Sequence, residues 1–160
     1  MTITTDYQET NDIDWFGIVN GKPCHFASNG GRIPEHVIKT LRELQSEVAR
    51  LPEKTDYEEG DSEKINEIVK EQYKYLSEDG YLKIFPPRTM YMWSFIQMAQ
   101  KGFYSYDRDA ETDTYFLVAK PKDEDVLKDF KLKMPVVIIN KENGNGSIEL
   151  EIPPYKIIEK

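Results

Sequence analysis

Asp14, Cys24 and His25 fall within one short stretch of this chain, Ile13 to Gly31. A thiol, an imidazole and a carboxylate are the residue types of nucleophilic catalysis. Cys24 is the only cysteine, and His25 is one of two histidines. Their spacing decides which chemistry is open to them. The stretch reads as a hairpin, with strands over 13–19 and 22–28. Asn20-Gly21 joins them and supplies the two positive-φ positions of a type I′ turn. A two-residue turn fixes the register: Val19 faces Lys22, Gly17 faces Cys24, Phe16 faces His25, and Trp15 faces Phe26. Neighbours in a strand point to opposite faces, so the Cys24 thiol and the His25 imidazole diverge. Cys24 then reads as a small buried group in the room left opposite Gly17. Asp14 and His25 share a face, in diagonal register beside Phe16. A carboxylate there can orient the imidazole tautomer. No hydroxyl nucleophile completes a triad, because Ser28 falls on the other face.

Ser28-Asn29-Gly30-Gly31-Arg32, between a strand and a helix start, is a candidate anion cradle of backbone N–H groups. It lacks G-x-G-x-x-G and G-K-[ST], and a tight turn explains the glycines as well. Asp14, His25, Gly30 and Gly31 together make the candidate ligand face. Asp107, Asp109, Glu111 and Asp113 alternate like the start of an EF-hand loop. That rule fails at Thr112, where glycine is required, and at Val118, where the bidentate glutamate belongs, so a solvated hairpin turn is the better reading. One cysteine and two histidines without ligand spacing imply no metal centre. No motif implies a cofactor.

An acidic run is the remaining candidate. Asp56, Tyr57, Glu58, Glu59, Asp61 and Glu63 crowd one connection, just after Glu53. The plain reading is a solvated link leading into a helix start. The functional reading is a partner surface, with Tyr57 as anchor and the carboxylates steering a basic protein.

The elements that must position these residues follow from pattern. Val37, Leu41, Leu44, Val48 and Leu51 make one apolar stripe, predicting a helix from Pro34 to Pro52. A second helix is capped by Asp61 or Ser62 and buries Ile65, Ile68, Val69, Gln72, Tyr73 and Leu76, with Gly80 past its end. A third starts near Pro87, stops at Lys101-Gly102, and is apolar nearly all round, which predicts a central, buried helix. Hairpins follow over 103–120 and 135–152, the second turning at Asn143 to Gly146. Residues 115–119 are apolar on both faces, which predicts a central strand. Val126, Leu127 and Phe130 suggest a short helix or turn. The expected fold is α+β: an antiparallel sheet built from hairpins, packed against about three helices, in a single domain over 1–160.

Composition removes several function classes. A net charge of −8 opposes nucleic acid and anionic membrane surfaces. No apolar run is long enough to span a membrane, and the first residues lack the basic and apolar regions of a signal peptide. One cysteine fits a reducing compartment, so a cytoplasmic location is expected.

Three stretches, "DIDWFG", "HFASNGGRIPEHV" and "KGFYSYDRD" with "YFLVAKP", form one pattern over residues 12 to 121. The pattern resembles small bacterial proteins of the polymorphic-toxin immunity type. The resemblance implies a cytosolic binding protein and brings no catalytic residues with it. The expected function is therefore non-enzymatic: neutralising a basic toxin domain by occlusion through an acidic surface. The alternatives are a small enzyme or ligand-binding domain using the Asp14/His25 face and the Gly30-Gly31 loop, and a self-associating structural module.

Overall fold

The computed structural model describes residues 3–74 and 86–151. The Asn20-Gly21 turn takes the conformation its residues dictate, with φ of 50° and 77°. It joins β1 (Asp14–Val19) to β2 (Lys22–Ala27) in the expected register, Gly17 against Cys24 and Phe16 against His25. A short helix α1 (Thr5–Thr10), capped by the Thr4 hydroxyl, precedes the hairpin. Six residues are too few to display a hydrophobic period, so the sequence pattern does not reveal it.

Two helices replace the single one predicted after the hairpin: α2 (Glu35–Ile38) and α3 (Leu41–Ala49). Val37, Leu41, Leu44 and Val48 are all buried, as the stripe requires. Thr40 breaks the helix at φ −118°, ψ 10°. The break serves two cores at once. Val37 and Leu41 join the cluster around Trp15 and Phe26, while Leu44 and Val48 join Phe16 and Phe103.

The acidic run contains a strand, β3 (Tyr57–Glu59), with all three residues exposed. α4 (Ser62–Gln72) follows, capped by Asp61, whose Oδ1 accepts the Lys64 N–H at 3.0 Å. Leu76 and Gly80, placed in this helical region by pattern, lie outside the described residues. α5 (Pro87–Lys101) has proline in its first turn and ends on Gly102 at φ 113°. It buries Tyr91, Met92, Phe95 and Ala99 but leaves Trp93 60% exposed. The helix is therefore a cover over one face of the sheet, not a central rod.

The remaining strands are β4 (Tyr104–Asp109), β5 (Thr114–Pro121), β6 (Ile139–Glu142) and β7 (Ile148–Leu150). Residues Val126 to Phe130 form turns. The sheet order is β1-β2-β4-β5-β7-β6, with β3 on the edge of β5 beside β7. The fold is α+β, and its sheet is mixed. Every pair is antiparallel except β2–β4, which runs parallel. A two-residue turn can only reverse the chain, but the link from β2 to β4 carries α2 to α5 and returns the chain in the same direction. The antiparallel rule read from the hairpins fails at this junction, and again at the parallel bridge between Ile18 and Val136.

The sheet curls until its ends meet. Ile18 donates its N–H to the Pro135 carbonyl at 2.8 Å, and Val137 donates to the Ile18 carbonyl at 2.9 Å. Gly17 permits this approach, because a Cβ there would overlap the Cγ2 methyl of Val137. The room at Gly17 is thus filled by Val137 as well as bordered by Cys24. Inside the curl Trp15 stacks on Phe26 at 4.3 Å, and Tyr115 meets Phe26 edge-on at 5.1 Å. Such aromatic pairs add to the burial of their area. Among the described residues, no helix is long and apolar enough to cross a membrane.

Candidate functional site

β4 turns its polar residues toward the helices. Ser105, Asp107 and Asp109 lie on one face by strand alternation, and all three are buried. Each has a matched partner. Ser105 Oγ lies 2.7 Å from His25 Nδ1. Tyr91 donates its hydroxyl to Asp107 Oδ2 at 2.5 Å. Lys64 Nζ lies 2.7 Å from Asp109 Oδ2. Burial opposes ionisation of Asp109, but the Lys64 ammonium, the Glu111 N–H and the Thr112 hydroxyl together outweigh it and hold the carboxyl below its usual range.

The parallel register of β2 and β4 sets Ser105 beside His25. The β1–β2 hairpin brings in Asp14, whose Oδ1 lies 2.7 Å from His25 Nε2. A carboxylate only accepts, so Nε2–H donates to Asp14; in the neutral imidazole Nδ1 then accepts the Ser105 hydroxyl. The Asp14–His25 contact is the diagonal pair read from the hairpin. Its third member is eighty positions from His25 in sequence. Ser28, by contrast, accepts the Ile13 N–H at 2.8 Å and closes the hairpin.

The line Ser105–His25–Asp14 has the donor order of a nucleophile, base and orienting acid, but not the access. Ser105 is 0% exposed and His25 1%. The imidazole lies among aromatic rings, with Phe16 at 5.4 Å and Phe95 at 6.0 Å. A substrate carbonyl cannot approach Oγ in this arrangement. Only the Asp14 side chain opens to solvent, at 55%.

Asp14 stands in a cleft of about 260 Å³ that Asp12, Asn29, Tyr91, Ser94 and Asp107 also line. Burial pushes the Asp107 carboxyl up to about 6, and the charges of Asp12 and Asp109 push the same way. The Tyr91 hydroxyl and the Arg108 N–H work against that rise without cancelling it. Burial and the Asp107 charge in turn raise the Tyr91 phenol, so it stays a donor. The cleft is an anionic hollow that suits an amine or a basic side chain, with one carboxyl able to exchange a proton near neutrality.

The glycine loop lies beside it. Gly30 N–H donates to the Asn11 carbonyl and Gly31 N–H to the Ser28 carbonyl. Asn29 N–H donates to Asp12 Oδ1. These donors are all engaged within the chain. Asn29 and Gly30 adopt positive φ, and the Arg108 side chain packs where a Cβ of residue 31 would stand.

The acidic run disperses into separate duties. Glu59 pairs with Arg88, which holds its carboxyl below the usual range, and also accepts the Ser62 hydroxyl. Glu58 lies 3.5 Å from Lys120 across the β3–β5 ladder. Asp61 caps α4. Asp56 and Glu63 form no ion pair among the described residues. Tyr57 is 39% exposed between them. Likewise Asp107, Asp109 and Asp113 part company: Asp113 pairs with Arg108 at 2.7 Å. Among the described residues, no cluster of three or more histidine, cysteine or acidic groups is placed to hold a metal.

Cys24 faces the aromatic core, away from His25, and burial pushes its thiol up to about 12. A thiol held protonated is a poor nucleophile.

Compared with known proteins, the chain matches no family model, no curated protein and no solved structure. Ser105 and Tyr91 are the site residues that sequence reasoning missed. Nothing local marks either one, since their partners arrive through strand pairing and helix packing.

Proposed function

We propose that this chain is a non-enzymatic binding protein, of the toxin-immunity type, that occludes a basic protein domain. The observation that carries the reading is the exposed Tyr57 on the β3–β5 ladder, with the unpaired carboxylates of Asp56, just before β3, and Glu63, in the first turn of α4, near it in sequence. A rigid aromatic at the centre and free charges at the rim is how interface energy is commonly distributed. A net charge of −8 would speed the encounter with a basic partner. Glu59 and Asp61, already engaged in the fold, support the surface and do not contact the partner. The sealed Ser105 hydroxyl is consistent with a chain that does no chemistry of its own.

The test is co-expression with a basic toxin domain encoded beside the gene, together with calorimetry of the purified pair. Neutralisation and a stoichiometric complex are expected. Tyr57→Ala and the charge reversals Asp56→Lys and Glu63→Lys should weaken the complex at least tenfold. A toxin that kills equally with and without the chain, and shows no heat of binding, ends this reading.

One observation favours a second reading. The cleft at Asp14 is concave and holds a carboxyl that titrates near neutrality, as a ligand site would. His25 itself is sealed from that cleft's solvent, so Asp14 and Asp107 would be the contacting groups. Binding of a small amine that is lost in Asp14→Asn would establish it.

A further inference from the structure

A second concavity, of different character, lies between the β1–β2 turn and the segment 123–134. Its volume is about 340 Å³, inside the usual range for small-molecule pockets of roughly 300–1,000 Å³. Pro23, Phe130, Leu132 and Met134 give it an apolar lining. All four are half-buried, so each presents apolar surface to the hollow.

Two opposite charges stand around a single ring of this hollow. Lys22 Nζ lies 4.8 Å from the centroid of the Tyr104 ring. The Tyr104 hydroxyl donates to Glu124 Oε1. Neither Lys22 nor Glu124 forms an ion pair among the described residues. The other two charges of the lining, Asp125 and Lys128, neutralise each other at 2.9 Å. An ammonium and a carboxylate, neither with an ion-pair partner among the described residues, thus stand beside one apolar hollow, each against the same tyrosine.

We propose that this hollow binds a small zwitterion with an apolar side group, that is, an apolar or aromatic α-amino acid. Lys22 takes its carboxylate and Glu124 its ammonium. The side group lies against Phe130, Leu132 and Met134. Burial of the side group supplies affinity, and the two charges fix orientation. Both charges are solvent-exposed, so each adds little and the complex is weak, with a Kd on the order of 1 mM. The residues are separate from those of the protein-binding surface, so either assignment stands without the other.

The experiment titrates L-phenylalanine into the ¹⁵N-labelled full chain and follows the amide shifts. Two analogues isolate the charges: 3-phenylpropionate lacks the ammonium, and 2-phenylethylamine lacks the carboxylate. Saturable shifts are expected around residues 21–23, 104 and 124–134, with each analogue binding several-fold more weakly than phenylalanine. Lys22→Met should weaken phenylalanine and 3-phenylpropionate and leave 2-phenylethylamine unchanged. Glu124→Gln should do the reverse. Both residues are exposed, and the spectra of the free variants verify the fold. The absence of saturable shifts in the wild-type chain overturns the proposal. So does equal binding of phenylalanine and both analogues to the wild type, which would mark a merely apolar hollow.

Discussion

The Tyr91 hydroxyl and the Asp107 carboxylate meet at 2.5 Å across the interface of α5 and β4. The contact supplies one donor to a buried carboxylate that faces two further acids, Asp12 and Asp109. One donor and one backbone N–H do not offset the loss of water, and the carboxyl titrates at about 6. A carboxyl raised in the folded state contributes stability below its unfolded value near 4. That contribution is lost as pH rises through about 6. Asp107→Asn removes the titration. The stability of the variant relative to wild type should therefore increase by roughly 2–2.5 kcal/mol between pH 4 and pH 7.5, most of the linkage value for a shift of about two units. Urea unfolding at the two pH values measures it. A difference that does not change with pH would show that Asp107 is not buried as a charge.

Removing the hydroxyl from Ser105 should cost more than removing the charge from Asp14. Ser105→Ala leaves His25 Nδ1 without its partner in a sealed site, a loss of about 1–3 kcal/mol. Asp14 is more than half exposed, so Asp14→Asn should cost under about 1 kcal/mol. Denaturant midpoints of the two single variants give the order. The opposite order would place the energetic weight of the line at its wet end, and would favour a working role for Asp14.

Gly17→Ala should open the seam of the curled sheet. Its methyl group would overlap Val137, and overpacking of this kind costs about 1–3 kcal/mol. Val137→Ala alone leaves a cavity and is also destabilising. Together the two changes should cost less than their sum by at least about 0.5 kcal/mol, since the second makes room for the first. Strict additivity in the double-mutant cycle would mean that residue 17 and Val137 do not touch.

Local chemistry made much of this architecture legible. Asn20-Gly21 set the register of the first hairpin, and with it the faces of Asp14, Cys24 and His25. Asp61 announced the start of α4, and Gly102 the end of α5. What stayed hidden depended on distant pairing. The tract Tyr104 to Asp107 alternates aromatic and polar residues, a pattern that ordinarily means one face in water. Here the polar face is the one covered by α4 and α5, because His25, Tyr91 and Lys64 arrive to satisfy it. β3 was hidden for a different reason: an edge strand with three exposed residues has no apolar alternation to display. Trp93 misled in the other direction, since a large apolar side chain on a covering helix can still lie on its outer side.

The parallel seam between β2 and β4 also governs the order in which this chain can fold. Its contacts join residues 24–27 to residues 104–107. The β1–β2 hairpin closes through a two-residue turn, but its second edge stays open until some eighty further residues have been made and returned. Closing so long a loop is entropically costly, and non-local pairing slows folding. During synthesis the hairpin therefore leaves the ribosome with an unpaired edge bearing Cys24 and Phe26. That edge is open to wrong pairing with another chain until β4 arrives to cover it.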